Sequence, residues 1–552
     1  MLIVLLNWLY VTMTILGLGI GITAFAKKYL NYRIRHMDSL LMAGMVAACA
    51  YAQFFSLIYR VSLLCNVILV VLCLFLLIWN RGLVREYLYF MWRETTWKRK
   101  LVVMLLVLVW AYFSSRGYIH YDSDLYHAQS IRWLEEYGVA PGLANLHERF
   151  AYNSASFALN ALYSWAFMLP QSLHTISGYH GLLLSLAVLD IAKCVKRGRL
   201  RISDFACVAA IYYLTTITEE IVSPASDYSI MCVIFWIVIR WLRLLEMDEE
   251  EGSLQSIVPY ALLCVVGCYA VTIKLTAGLI LIVLWKPAYY LLKEKRWKDI
   301  GIYILMGLLV VLPWIIRTVV ISGWLIYPFS ALDVFNVDWK VSKEVVDYDS
   351  ACVTSWGKAI YDASRANAPL GEWFWNWFRT TLSGTEKVLI LGDFVSLPLM
   401  FIMGIVALVK RNKDWGERFL VLLAMGASFL FWLLSAPLMR YGYAYVLLLV
   451  FLTVGMIFDK INTNLWIIIV FGAYGVYKLF TQMDYIVDSK DAPYYIWQQD
   501  YNTYELNAYE VDGITFYAPA SGDRTGYEPF PAAPRSNHFK LRGQALEDGF
   551  KP

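Results

Sequence analysis

Charge is what this sequence has least of. Asp, Glu, Lys and Arg make up 16% of its 552 residues, where soluble globular chains carry about a quarter. That shortage excludes a soluble multidomain enzyme of the same length. Cysteine is present without a pattern. Of the nine, Cys49, Cys65, Cys73, Cys194, Cys207, Cys232, Cys264 and Cys268 lie in or beside apolar runs, leaving only Cys352 in a polar loop. No disulfide framework is indicated, and Cys264 and Cys268, one helical turn apart, read as packing residues. There is no G-x-x-x-x-G-K-[ST] loop and no dinucleotide fingerprint, which argues against a nucleotide-linked substrate. Fixed-period repeats and low-complexity tracts are also missing, and no nucleic-acid partner is expected.

What is there is apolar: 59% hydrophobic residues and a mean hydropathy of +0.54. Runs of about 20 apolar residues recur, enough to cross roughly 30 Å of hydrocarbon at 1.5 Å per residue. The chain reads as an all-α, multi-pass membrane protein. Its N-terminus, "MLIVLLNWLYVTMTILGLGIGITAF", has neither a basic n-region nor an A-x-A-like cleavage site, so it reads as a retained span. Fourteen candidate spans follow the runs at 2–25, 38–59, 61–79, 101–116, 173–192, 203–220, 226–245, 256–272, 275–292, 300–321, 389–410, 418–437, 441–458 and 463–481.

The basic connectors 27–35, 81–100, 193–201, 293–298 and 410–418 belong on the cytoplasmic side. Counting 155–169, "ASFALNALYSWAFML", as another span would put "KRGRLR" outside. That run is short and interrupted by Asn160 and Ser164, so it is expected to be interfacial or re-entrant. Both termini then lie outside, as do 117–154, 220–226, 322–388 and the tail 482–552. The expected division is three extra helices with a basic loop over 1–100, a transmembrane core over 101–481 and a small extracytoplasmic tail.

The outer loops carry the chemistry. "HYDSDLYHAQ" (120–129) sets Asp122 and Asp124 at a span exit with His120 and His127. Solvation of a helix start is the plain explanation and suffices for Glu135 and Glu136. For Asp122 and Asp124, acid/base chemistry on a substrate hydroxyl competes with it. A divalent cation is a third option, with Asp122, Asp227, His127 and His147 among the candidate ligands, although the spacing fits no dedicated zinc signature. "EEIVSPASD" adds Asp227, "AVTIKLTAG" adds Lys274, the tenth span holds Arg317, and "LLSAPLMRYGYAY" adds Arg440. Ionisable groups near hydrocarbon default to functional candidates because unpaired burial is costly; snorkelling to the interface competes for Lys274. Carboxylates and cations gathered at one interface suit a reaction on a lipid phosphate, with the cations on the phosphate leaving group.

Several stretches carry a resemblance: "DSDLYHAQSIRWLEEYGVAPGLANLHERFAYNSASF" (122–157), "SPASD" (223–227), "IKL" (273–275), "PWIIRTVVISGWLIYPFSALDVFNVDWKV" (313–341) and "SAPLMRYGY" (435–443). Together they resemble a largely uncharacterised family of bacterial polytopic proteins associated with surface-polysaccharide synthesis. The layout is similar to the GT-C glycosyltransferase superfamily: an acidic motif in the loop after the first core span, interfacial helices there, and a second acidic site between later spans. Where that family has an "APDPR"-like motif, this chain has "APLMR", with Leu438 in the acidic place.

The resemblance implies a GT-C-like enzyme of the bacterial inner membrane, its site facing the periplasm or exterior. It would move a sugar, with inversion, from a polyprenyl-phosphate donor to a glycan or lipid acceptor. Asp122, Asp124 and Asp227 are the expected catalytic set. His127, His147, Lys274, Arg317 and Arg440 are expected to bind substrate. A polysaccharide polymerase, a transporter or flippase of a lipid-linked sugar, and a non-catalytic scaffold are the alternatives.

Overall fold

A computed structural model of the chain describes residues 1–409, 413–458, 473, 477 and 493–552. Hydrocarbon offers no partner to backbone N–H and C=O groups, so a chain this apolar must satisfy them internally, and its membrane part is helical. Among the described residues, eight helices are long and apolar enough to cross: Leu2–Tyr29, Met37–Ser56, Ile176–Val195, Leu275–Lys293, Trp297–Ser322, Gly384–Ala407, Gly416–Ser435 and Met439–Phe458. A ninth is possible if Leu63–Trp79 and Arg81–Arg93, bent by 81°, form one span.

The other candidate runs in the described residues are also helical. Ile202–Thr216 and Val258–Ile273 are shorter. Trp97–Ser115 begins with three cations, and Ser226–Glu250 ends in a charged turn. The candidate span 463–481 lies outside the described residues apart from positions 473 and 477, as do residues 410–412 of one basic connector.

The run at 155–169 forms a helix over Ala155–Tyr163, all nine residues buried. At 1.5 Å per residue it spans about 13 Å, under half the hydrocarbon thickness, so it does not cross. It packs inside the bundle against Met37–Ser56 and Ala128–Glu136 instead of lying along an interface. Alanines at 155, 158 and 161 permit that close packing, and Asn160 Nδ2 donates to the Ser156 carbonyl at 2.9 Å.

One continuous core joins residues from Val4 to Met456, so the three N-terminal helices share it with the rest of the bundle. Two faces follow from the helix ends. The near face gathers the 117–154 loop, the 217–225 turn, Lys274, the 323–383 loop and the tail. The far face holds the turns after Tyr29, after Asp190 and after Glu250.

The tail departs from the all-helical pattern. Leu506–Val511 pairs antiparallel with Ile514–Pro519 around Asp512-Gly513, both at positive φ, the chemistry a two-residue hairpin turn needs. A second ladder joins Lys540–Leu541 to Phe550–Lys551. The tail docks on the 117–154 loop. Gln129 donates to the carbonyls of Gly526, Tyr527 and Pro529 and accepts from the Ala532 amide. Phe530 and Phe550 meet Trp133 edge-on, with ring centroids 5.0 and 5.6 Å away.

Candidate functional site

The site begins where Trp97–Ser115 ends. Gly117 runs so close to the next turn that a Cβ there would stand 2.1 Å from the Glu219 carbonyl oxygen. Beyond it the Tyr118 amide donates to Glu219 O at 2.6 Å, and the His120 amide donates to Ser223 Oγ at 2.7 Å. These bonds fix the span exit against the 217–225 turn, which aims His120 and Asp122 inward.

Asp227 arrives from the other side of that turn. Pro224 and Ala225 end the connection, and Asp227 sits in the first turn of Ser226–Glu250, where the helix dipole favours an anion. Lys274 caps the C-terminal end of Val258–Ile273 in an extended conformation, the end that favours a cation. Arg440 lies in the first turn of Met439–Phe458, against the dipole, and nearby carboxylates offset that disadvantage.

Four charges from four separate segments form one chain. Arg440 Nη2 donates to Asp122 Oδ2 at 2.5 Å, and Arg440 Nε stands 3.4 Å from Asp227 Oδ2. Lys274 Nζ bonds Asp227 Oδ1 and lies 3.3 Å above the Tyr441 ring centroid. Arg440 also donates to a His120 ring nitrogen and to the Tyr441 hydroxyl at 3.1 Å. Asp227 is 5% exposed, whereas the Asp122 and Arg440 side chains keep 21% and 26% exposure. The Lys274 side chain keeps 20% exposure, so both ends of the chain are accessible and Asp227 is its buried middle.

Electrostatics divides the roles. Burial alone pushes the Asp122 carboxyl up, but Arg440 outweighs it and holds the group below its ordinary value. Burial, reinforced by Arg440, lowers the His120 imidazole. A neutral ring that accepts an N–H from Arg440 is the consistent state. His127, tilted against Phe157 with centroids 5.2 Å apart and 3.2 Å from Ser123 Oγ, is pushed down to about 3 by burial.

Other candidates go elsewhere. Asp124 faces the tail: its Oδ2 accepts from Asn502 Nδ2 at 2.6 Å and Tyr504 OH at 2.7 Å, and its carbonyl takes the amides of Thr525 and Gly526. Burial raises its carboxyl above the ordinary value despite those donors. His147 accepts from the Arg149 amide beside Glu148, on the side where Arg535 of the tail binds Glu148. Arg317 is 1% exposed and donates to Gln53 Oε1 at 3.4 Å. It lines a cavity of about 20 Å³ with Asn153 and Ser130, room for about one water. It makes no ion pair among the described residues.

Sequence reading left out Tyr441, which touches both cations, and Ser223, which positions His120. Tyr441 had one signal, its place directly after Arg440. Ser223 had none, because only the folded turn brings it to the His120 amide. The described residues contain no group of three or more His, Cys, Asp or Glu side chains placed to hold a metal ion. Asp122, Asp227 and His127 do not converge as a ligand set; each carboxylate already faces a cation.

The chain belongs to the family described as Domain of unknown function (DUF8201), which matches residues 1–447. The matched segment contains the three N-terminal helices and all four members of the charge chain, and leaves the tail outside. No curated protein and no solved structure gives a significant match.

Proposed function

We propose that the protein is an integral membrane glycosyltransferase of the GT-C type. It would take a sugar from a polyprenyl-phosphate donor to a glycan or lipid acceptor in surface-polysaccharide assembly, at a site facing the periplasm or exterior. The observation that carries this reading is the Asp122–Arg440–Asp227–Lys274 chain at the mouth of an apolar bundle. A lipid-linked sugar places its phosphate and anomeric carbon at that height, just beyond the hydrocarbon.

In the proposed step the acceptor oxygen attacks the anomeric carbon from the face opposite the phosphate. Its proton passes to Asp122, the new glycosidic C–O bond forms, and the bond to the phosphate oxygen breaks. The electron pair stays on the polyprenyl phosphate, whose growing charge Arg440 and Lys274 neutralise. One displacement inverts the configuration.

The resting geometry adds a coupling. Arg440 holds Asp122 below its ordinary pKa, which makes it a weaker base. A donor phosphate that draws Arg440 away leaves burial to raise Asp122, so donor binding itself arms the base. Tyr441 keeps Lys274 and Arg440 together while they change partners.

Purified protein in nanodiscs, offered a panel of polyprenyl-phosphate sugars with glycan and lipid acceptors, should release polyprenyl phosphate and form an inverted glycoside. Transbilayer movement of the intact donor with no glycoside formed would favour a transporter and overturn the reading.

A further inference from the structure

A cavity of about 670 Å³ lies at the far face, away from the charge chain, within the ~300–1,000 Å³ typical of ligand sites. Its two ends differ in chemistry. One end is lined by Lys193, Arg197, Arg201, Arg240 and Arg243, against the carboxylates Asp190, Glu246 and Glu250. The other is apolar, walled by Leu263, Val266, Leu309 and Val310.

The cations are held facing the cavity from behind. Asp38 accepts from Arg240 Nε at 2.7 Å and Asp204 binds Arg197, and neither carboxylate lines the cavity. Asp190 serves three cations at once: Arg99 at 3.0 Å, Lys193 at 3.3 Å and Arg243 at 3.3 Å. Arg201 in turn meets Glu250 and stands 3.9 Å from Glu246. The six cations Arg99, Lys193, Arg197, Arg201, Arg240 and Arg243 thus face the five carboxylates Asp38, Asp190, Asp204, Glu246 and Glu250, which leaves one positive charge over at this end.

The apolar end is shaped by the sequence. Ala43, Ala47 and Ala50 fall at i, i+4 and i+7 on Met37–Ser56, one face of the helix, and their small side chains leave a groove that Phe54 extends. Leu309 is 49% exposed on Trp297–Ser322, so the groove reaches the outer surface of the bundle where hydrocarbon would lie.

We propose that this cavity binds one anionic phospholipid, its phosphate on Lys193 and Arg201 and an acyl chain along the alanine groove. Charge complementarity selects the head, and the continuous path to the bundle surface admits the chain without passage through water. The proposal does not depend on the glycosyltransferase reading, because its test measures retained lipid and not turnover.

The full-length protein in mixed nanodiscs of anionic phospholipid, zwitterionic phospholipid and polyprenyl phosphate can be released into native mass spectrometry. Wild type should retain the anionic phospholipid over the zwitterionic one. Lys193→Gln combined with Arg201→Gln should weaken retention about tenfold or more, the scale of one lost charge-assisted contact. Ala47→Leu, which fills the groove with an apolar side chain, should lose the lipid while keeping its melting temperature. Equal retention of zwitterionic lipid, or full retention in a folded Ala47→Leu variant, would overturn the site. Preferential retention of polyprenyl phosphate would overturn the choice of ligand.

Discussion

Asp122 and Asp124 stand two residues apart and face different partners, one Arg440 and the other the tail. Asp122→Asn keeps the shape but cannot take a proton, so turnover should fall about 10²–10⁴-fold with donor affinity largely kept. Asp124→Asn should lose much less turnover and instead lower the melting temperature; the opposite pattern would move the base to Asp124. Lys274 permits a second experiment. Lys274→Met should weaken donor binding by about 1.5–3 kcal/mol and also destabilise the fold, because buried Asp227 loses its nearer cation and keeps the Arg440 contact at 3.4 Å. Adding Asp227→Asn should restore the melting temperature but not donor affinity, a separation that a double-mutant cycle measures. If both recover together, Lys274 is only Asp227's counter-ion. A third expectation concerns acid. His127 and His147 are both pushed down to about 3 by burial, whereas in an unfolded chain they titrate near 6.5. Between those values the unfolded chain binds more protons, so stability is full above about 6.5 and falls as pH drops, by up to ~1.4 kcal/mol per pH unit for each imidazole. His147→Gln should flatten the decline of melting temperature between pH 7 and 5; an unchanged slope would clear that imidazole of a part in it. Lys274, Asp227 and Arg440 were legible because ionisable residues beside apolar runs need partners. Arg317 satisfied the same rule yet lies apart from them, on Gln53, since residue type and depth say nothing about which way a helix face turns.

Among the elements, the nine-residue helix Ala155–Tyr163 was readable as a non-crossing segment from charge bookkeeping alone. Its burial inside the bundle was not, because an apolar run looks the same whether protein or lipid surrounds it. The tail was legible only as a stretch rich in turn formers. Its strands are short, and the tail's partners lie in a loop nearly 400 residues earlier, as where Tyr527 OH donates to Glu135 at 2.6 Å. The side assigned to each loop is testable with exposed positions: Glu136 in the near-face loop and Arg199 in the far-face turn. In intact cells an impermeant thiol reagent should label Glu136→Cys at once and Arg199→Cys only after permeabilisation. Labelling of both from outside would overturn the orientation proposed for every later loop.

For the whole molecule, composition alone declared a helical membrane protein, while the far-face cavity stayed invisible because it depends on helices far apart in sequence leaving space between them. The charge chain has the same global origin, and that has a consequence in time. Asp122 precedes Arg440 by 318 residues. At the ~5–20 residues per second of protein synthesis, a newly made Asp122 waits about 15–60 s for its guanidinium. During that interval the growing chain holds a carboxylate at a membrane exit with its counter-charge not yet made. A chain stopped after Ser435 remains in that state permanently and should be degraded faster in pulse-chase labelling than one stopped after Phe458. Asp122→Asn should lengthen the life of the shorter chain; if it does not, the missing partner is not what marks that chain for removal.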